Sequence, residues 1–564
     1  MNRAFSERYF WIVAGALLAA MVAMQIGTMR QESNTVDEPI HLYSGYAYWQ
    51  QRAFGLNAEH PPLAKLLFSI PLLAMHPDLP HNFAATETEE GEPARHFLFH
   101  NRVDAERMLT ATRSVALLLC LCFGALIAFW TRIRYGSLAA LLALTLFCFD
   151  PMFLGHGHYV TNDVAASVAY FAACIAWTWV LDRPNFGRMV LAGAVLGLAM
   201  AVKFSLLLAP VVFIAMYFAR WRAEPGTGKF SWRNLLLAFQ VISTASFLVM
   251  WAAYGFERRV PITDPFVSMY FDKPMDQLRK DPTVPPPMLD YLDPESANGR
   301  VSHWLVRNVP VPAYSFWKGI VRFYAHEYWG HDSYLLGSYS RHGWWYYFPV
   351  AFAVKSSVGL LALLIAAFVL GVRMPGPWAE LLIPAGVFFA ASMGGSIDIG
   401  LRHILPVYAF LFIAIAVALS RARMGRIAAF ALIPLLIAES AVSYPNHLAF
   451  FNLLAGGSGA GSRYLIDSNL DWGQDLKRLK MQMEQRHIAS LCLKYFGSAE
   501  PGYYKINSAE LTAYPAPREC NWAAASVNEL YFADSKLKAL RSCRPYFKAG
   551  ESILVYALKQ GKCE

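Results

Sequence analysis

The chain has 564 residues, 56% of them hydrophobic and only 16% charged, where an ordinary soluble domain carries about 25% charge. Its apolar residues fall in blocks of about 18 to 25, the length that crosses a ~30 Å hydrocarbon core. This excludes a single soluble domain and predicts an all-α polytopic membrane protein. The net charge of +9 does not call for nucleic acid, because most Arg and Lys sit in short connections between apolar blocks.

The first apolar block covers about 10–29. It has no small-residue cleavage site and leads into further spans, so it reads as an uncleaved anchor. A hydrophilic segment follows to about 107. Its Tyr-rich stretch 40–49 has the composition of an interfacial helix. Glu87, Glu89, Glu90 and Glu92, with Gly and Pro beside them, read as a solvated turn. Six spans are expected at about 108–131, 136–153, 163–181, 188–203, 204–220 and 234–254. A second long hydrophilic segment, about 255–345, is Pro-rich near 284–287 and then strongly aromatic. Spans at about 347–372, 379–397, 404–420 and 427–443 complete a count of eleven. With Arg3 and Arg8 in the cytoplasm, every short Arg-rich connection (Lys229 and Arg373 among their cations) falls on that side. Both long segments, the turn near 150–163 and the tail then lie on the other side.

The Gly-rich stretch 456–461 lacks a Walker lysine and reads as a hinge rather than a nucleotide loop. It divides a transmembrane part, 1–461, from a tail, 462–564. In the tail, helical spacing over 476–486 and strand-like runs at 490–496, 522–527 and 552–556 predict a small α/β unit. Cys120, Cys122, Cys148 and Cys174 lie in spans and read as small hydrophobic fillers. Cys492, Cys520, Cys543 and Cys563 lie in the tail and allow three pairings, of which Cys520 with Cys543 is selected.

Asp37 and Glu38 stand together at the mouth of the first span, where acids are costly to place and usually functional. The plainer reading is an N-cap acid, with Pro39 opening a surface helix. His60 and Lys65 frame a turn stiffened by Pro61 and Pro62. There Lys65 either neutralises a lipid phosphate or snorkels to the interface. Acid pair and basic turn together suggest a site for a sugar on a phosphate carrier. Arg113, one turn into a span, needs a partner, commonly an anion, and Asp104 or Glu106 would supply a structural one. Asp150, His156, His158 and Asp163 cluster on one turn and could hold a divalent metal. Otherwise Asp163 caps its helix and shapes the acceptor site, with the histidines hydrogen-bonding nearby. Lys203, Arg402 and His403 fall on the same side, where cations stabilise a departing phosphate. The alternatives are interfacial anchoring for Lys203 and an ion pair with Asp398 for Arg402. His326 and Glu327 do not open a zinc-protease motif, because the next His is His331.

Several of these residues, in this order, resemble the dolichyl-phosphate-mannose–protein mannosyltransferase family and its bacterial relatives, of the GT-C class of membrane glycosyltransferases. They are Asp37 and Glu38, the run 60–65, Asp150, and Thr161, Asn162 and Asp163. The stretches 343–349 and 467–476 resemble segments of the bacterial phospholipid-carrier-dependent branch. The resemblance implies sugar transfer from a polyprenyl phosphate to an acceptor on the extracytoplasmic face, by single displacement with inversion. It implies Asp37 as general base and an Arg near position 113 on the donor phosphate. The large β-trefoil insertion of the eukaryotic members is absent, which leaves protein, glycan and lipid acceptors all open.

The expectation is a GT-C glycosyltransferase of the inner membrane, with its active site and tail in the periplasm. Asp37, Glu38 and Asp163 are its catalytic candidates. His60, Lys65, Arg113, His158, Lys203, Arg402 and His403 are its substrate-binding candidates. No cofactor is expected, with a divalent metal as the alternative. The partners are the lipid-linked donor, the acceptor and membrane lipid. A transporter or flippase of lipid-linked sugars is the competing reading.

Overall fold

The computed structural model describes residues 3–80, 91–225, 230–371 and 378–563. Glu87, Glu89, Glu90, Lys229 and Arg373, and the side chains of Arg3 and Arg8, lie outside what is described.

Among the described residues, seven helices are long and apolar enough to cross a membrane: Tyr9–Met29, Ala105–Tyr135, Asn162–Asp182, Phe204–Ala223, Trp232–Ala253, Leu401–Arg421 and Arg423–Ser443. An eighth candidate is a pair, Tyr347–Lys355 and Val358–Gly371, bent by 111°. The other three expected spans are also apolar helices, Ser137–Cys148, Phe186–Met200 and Trp378–Ser392, but each is shorter than a full crossing. The protein is a polytopic helical membrane protein with a small C-terminal sheet unit.

The helices do not share burial equally. The apolar window of Leu401–Arg421 is 83% buried and that of Asn162–Asp182 is 78% buried, against 22% for Tyr9–Met29 and for Trp232–Ala253. The first two are the centre of the bundle and the last two its lipid-facing margin. Alanines at 409, 414, 416 and 418 let neighbours approach the central helix closely. At one end of the bundle Arg134 and Arg220 share Asp182, and Arg134 also meets Glu380 at 3.0 Å. At the opposite end the polar segments gather.

The bent pair leaves carbonyls unpaired at its break, and Asn452 takes two of them, Ala353 O at 2.7 Å and Ser356 O at 2.8 Å. Lys355, buried at the break, donates to the carbonyls of Leu448 and Asn469. The tail therefore reaches into the membrane part.

The stretch expected at the interface is a helix, Glu38–Gln51, but it lies inside the protein. His41, Leu42, Tyr43, Tyr46 and Tyr48 are all buried, and Trp49 is the aromatic left exposed. Helices Leu63–Phe68 and Gly91–Phe99 pack on it. The second long segment holds helix Tyr314–Trp329 and a hairpin of Ser333–Leu335 with Ser338–Ser340.

The tail folds as helix Leu476–Gln485 and a six-stranded sheet. Its strands are β1 (Leu491–Lys494), β2 (Ser508–Glu510), β3 (Trp522–Ser526), β4 (Phe547–Ala549), β5 (Ile553–Lys559) and β6 (Lys562–Cys563). β1 runs parallel to β2 and β3, while β3, β4 and β6 pair antiparallel with β5. The three strand-like runs of the sequence are β1, β3 and β5. The disulfides are Cys492–Cys520 and Cys543–Cys563, which corrects the expected Cys520–Cys543. β1 lies beside β3, so the strand carrying Cys492 is brought near the loop carrying Cys520.

Candidate active site

Four helix ends converge at the polar end of the bundle. The loop after the first helix carries Asp37, and helix Asn162–Asp182 begins beside Asp163. Lys203 sits where Phe186–Met200 gives way to a 3-10 turn, and Arg402 lies in the turn that opens the central helix. Asp163 is 2% exposed and receives Lys203 Nζ at 2.6 Å and Arg402 Nη1 at 3.1 Å. Both cations are thus held by one buried carboxylate. Lys203 is bound to this carboxylate rather than serving as an interfacial anchor, and Arg402 does not pair with Asp398, which instead accepts the backbone N–H of Trp344 at 2.7 Å. Gly343 makes that approach, because a Cβ there would lie 2.2 Å from the Asp398 carboxylate.

Asp37 stands apart from this triad. Its nearest cation among the described residues is Arg402, with Nη2 at 3.8 Å, beyond hydrogen-bond reach. It precedes the helix but makes no side-chain cap, and Glu38 rather than Pro39 is the first helical residue. The side chain keeps 28% exposure and lines a cavity of about 440 Å³. Burial in this cleft pushes the Asp37 carboxyl above the ordinary range, opposed by Arg402 and reinforced by Asp163 and Glu38.

The same cavity is lined by His41, His60, Asn162, Lys203, Arg402 and His403, and by Glu59, His326, Glu327 and His331 from the long segments. Burial, with the Lys65 ammonium nearby, holds His41 down to about 3, and burial with His41 nearby holds His60 well below its ordinary value. Arg402 and, more weakly, Lys203 are the cations that favour the ionised form of Asp37. Asn162 Nδ2 and Oδ1 and His403 Nε2 are buried without a hydrogen-bond partner among the described residues. Buried groups of this kind carry a desolvation cost that a polar ligand relieves.

Four expected site residues lie elsewhere. Glu38 is fully buried and accepts from Arg113 Nε at 2.8 Å and Nη2 at 2.6 Å, and from the backbone of Thr35 at 2.8 Å and Val160 at 3.1 Å. Arg113 also donates to Ser33 O at 2.8 Å. It meets neither Asp104 nor Glu106, which face Tyr503 and Lys477 of the tail. Lys65 is fully buried and donates to Tyr48 Oη, the Asn57 carbonyl and His60 O. It neither snorkels nor faces the cavity. His158 Nε2 lies 2.9 Å from Glu32, away from the cleft. These four side chains hold the loops that carry Asp37 and His60.

The proposed metal cluster is dispersed. Asp150 caps helix Pro151–His156, His158 goes to Glu32, and Asp163 holds the two cations. Among the described residues, no three His, Cys, Asp or Glu side chains are grouped to hold a metal ion.

Sequence reasoning gave no role to Glu32, Glu59, Ser468 or Trp472. Glu32 belongs to the same acidic stretch as Asp37, which is a faint signal. Ser468 and Trp472 lie in the 467–476 stretch that carries part of the resemblance.

Residues 105–251 match the family model described as dolichyl-phosphate-mannose-protein mannosyltransferase. The matched segment contains Asp163 and Lys203 and stops short of Asp37 and Arg402. ArnT from Cupriavidus metallidurans bound to undecaprenyl phosphate is similar in structure, at 13% identity over 98% of each chain and a TM-score of 0.46. Its apo state matches at 14% identity over 97% of each chain, also at 0.46. The apo Archaeoglobus fulgidus oligosaccharyltransferase matches at 15% identity over 86% of this chain and 59% of that one, with a TM-score of 0.41. No match was found among curated protein sequences.

Proposed function

We propose that this protein is a GT-C glycosyltransferase that moves a sugar from a polyprenyl-phosphate carrier to an acceptor on the extracytoplasmic face of the inner membrane. The observation that carries the reading is the division of labour in one cleft. A carboxylate with no hydrogen bond among the described residues, Asp37, faces two cations fixed on Asp163. The family-model match over 105–251 supports the same chemistry.

In this reading Arg402 and Lys203 meet the donor phosphate. Their charge stabilises the negative charge that grows on it as the glycosidic bond breaks. Asp37 takes the proton of the acceptor hydroxyl or amine. The acceptor heteroatom bonds to the anomeric carbon, and the carbon–oxygen bond to phosphate breaks with its electron pair leaving on the polyprenyl phosphate. One displacement inverts the anomeric centre. A base within reach contributes about 10²–10⁴-fold in rate. Asn162 and His403 give the sugar hydroxyls their partners. Asp163 and Glu38 support the site without touching substrate.

The test is incubation of the purified protein with a radiolabelled polyprenyl-phosphate hexose and candidate hydroxyl and amine acceptors. Labelled product is expected from the wild-type protein and not from Asp37→Asn. Movement of the intact donor across vesicles without product would establish the transporter reading instead.

A further inference from the structure

The tail stretch 467–476 contributes to both sides of the cleft, and the proposed chemistry gives it no task. Ser468 Oγ accepts from Arg402 Nε at 3.0 Å and donates to Ile399 O at 2.8 Å. The Arg402 guanidinium carbon lies over the Trp472 ring, 4.2 Å from its centre, and the Trp472 side chain is buried, at 2% exposure. Asn469 accepts the N–H of Leu401 at 3.0 Å and so pins the turn that carries Arg402.

The same stretch pairs through its backbone with the loop leading into Asp37. Val36 N donates to Trp472 O at 2.9 Å, and Ser33 N donates to Gln474 O at 3.0 Å. Ser33 Oγ adds a bond to Gly473 O at 2.9 Å. The stretch is itself anchored in the sheet unit. Asn528, just past β3, accepts Asp467 N at 2.8 Å and donates to Asp471 O at 2.9 Å. Asp467 is held at φ 59°, a left-handed conformation that a non-glycine residue keeps only when its surroundings impose it.

We infer that Ser468 and Trp472 are positioning residues that set the Arg402 guanidinium at its distance from Asp37, so that the tail is a working part of the active site. The inference rests on the proposed phosphate role of Arg402. All of the guanidinium except Nη2 has an assigned partner. Nη1 goes to Asp163 and Nε to Ser468, and the Trp472 ring packs against the group. Nη2 is left directed toward Asp37 and the cavity. A planar cation fixed at this many points loses little freedom when a phosphate arrives. Freed from Ser468 and Trp472, the same side chain would collapse onto Asp163.

The test is calorimetric binding of farnesyl phosphate, a sugar-free polyprenyl phosphate, to the full-length protein in detergent. Ser468→Ala is expected to raise Kd about fivefold and Trp472→Leu about tenfold, from the lost hydrogen bond and cation–π contact. Trp472→Phe, which keeps a ring face, stays within about twofold of wild type. Arg402→Ala raises Kd at least as far as Trp472→Leu. Adding Ser468→Ala to it changes nothing more, because the two residues act as one unit. Normal Kd in Ser468→Ala and Trp472→Leu, with weak binding by Arg402→Ala, overturns the inference and leaves the proposed function standing. Additive effects of Ser468→Ala and Arg402→Ala overturn it in the same way. Unchanged binding by Arg402→Ala removes the phosphate role itself and the inference with it. Should Trp472→Leu not fold, Ser468→Ala and its double variant decide alone.

Discussion

Asp37 and Glu38 are consecutive carboxylates, and each faces an arginine from another helix. Glu38 and Arg113 are 0% and 1% exposed and bond bidentately, through Nε at 2.8 Å and Nη2 at 2.6 Å. Asp37 and Arg402 keep 28% and 11% exposure and stand 3.8 Å apart on a cavity wall. The first pair is fully buried, and its two groups bond to each other. The second is held short of contact because Arg402 is already committed to Asp163, Ser468 and Trp472. The two carboxyls are shifted from their ordinary range in opposite directions. Burial lifts Asp37, whereas Arg113 and two backbone N–H groups overcome burial and bring Glu38 below its ordinary value. A carboxylate that is fully hydrogen-bonded supports structure. One that is kept close to a cation without bonding to it stays available for chemistry.

The sharpest way to break this comparison is to exchange the effects of the two acids. Asp37→Asn should lower sugar transfer by about 10²–10⁴-fold in a radiolabelled donor assay, with no fall in the thermal unfolding midpoint. Glu38→Gln should do the reverse, costing about 3–5 kcal/mol of stability because Arg113 is left buried without its counter-charge. Thermal unfolding in detergent reads this directly, and a normal midpoint would show the pair to be dispensable. Adding Arg113→Met to Glu38→Gln removes the stranded charge and should recover about 2 kcal/mol or more. The smallest effect is one of pH. Ionised Asp37 is lost as pH falls through its raised value. The stability carried by Glu38, present above the unfolded carboxylate range, is lost only as pH falls through its depressed value. Turnover should therefore fall at a higher pH than the acid unfolding transition and return on neutralisation. Coincident losses of turnover and fold would remove the distinction between the two acids.

The sequence carried most of the frame and part of the site. Apolar blocks revealed the helices because crossing a bilayer demands length and composition together, both readable locally. The grouping of Asp37, Asp163, Lys203 and Arg402 at one end followed from counting spans. What stayed hidden were partnerships between distant residues. Arg113 meets Glu38 across 75 positions, and nothing near either residue announces it. Lys65 looked like a lipid-facing cation because the carbonyls that bury it come from a bend in its own loop. The helix over 38–51 has interfacial composition, yet helices on both sides cover it. β2, β4 and β6 have three, three and two residues, too few to show a period.

The contact between the loop at Ser33 and the tail at Gly473 spans 440 positions. It has a consequence for how the protein is made. Among the described residues the apolar helices all precede, in sequence, the segment that braces Arg402, so they can enter the membrane before that segment emerges from the ribosome. Insertion and completion of the cleft are therefore separate events in time. A nascent chain stopped after the last apolar helix holds the acid, both cations and their shared carboxylate, and lacks the brace between them.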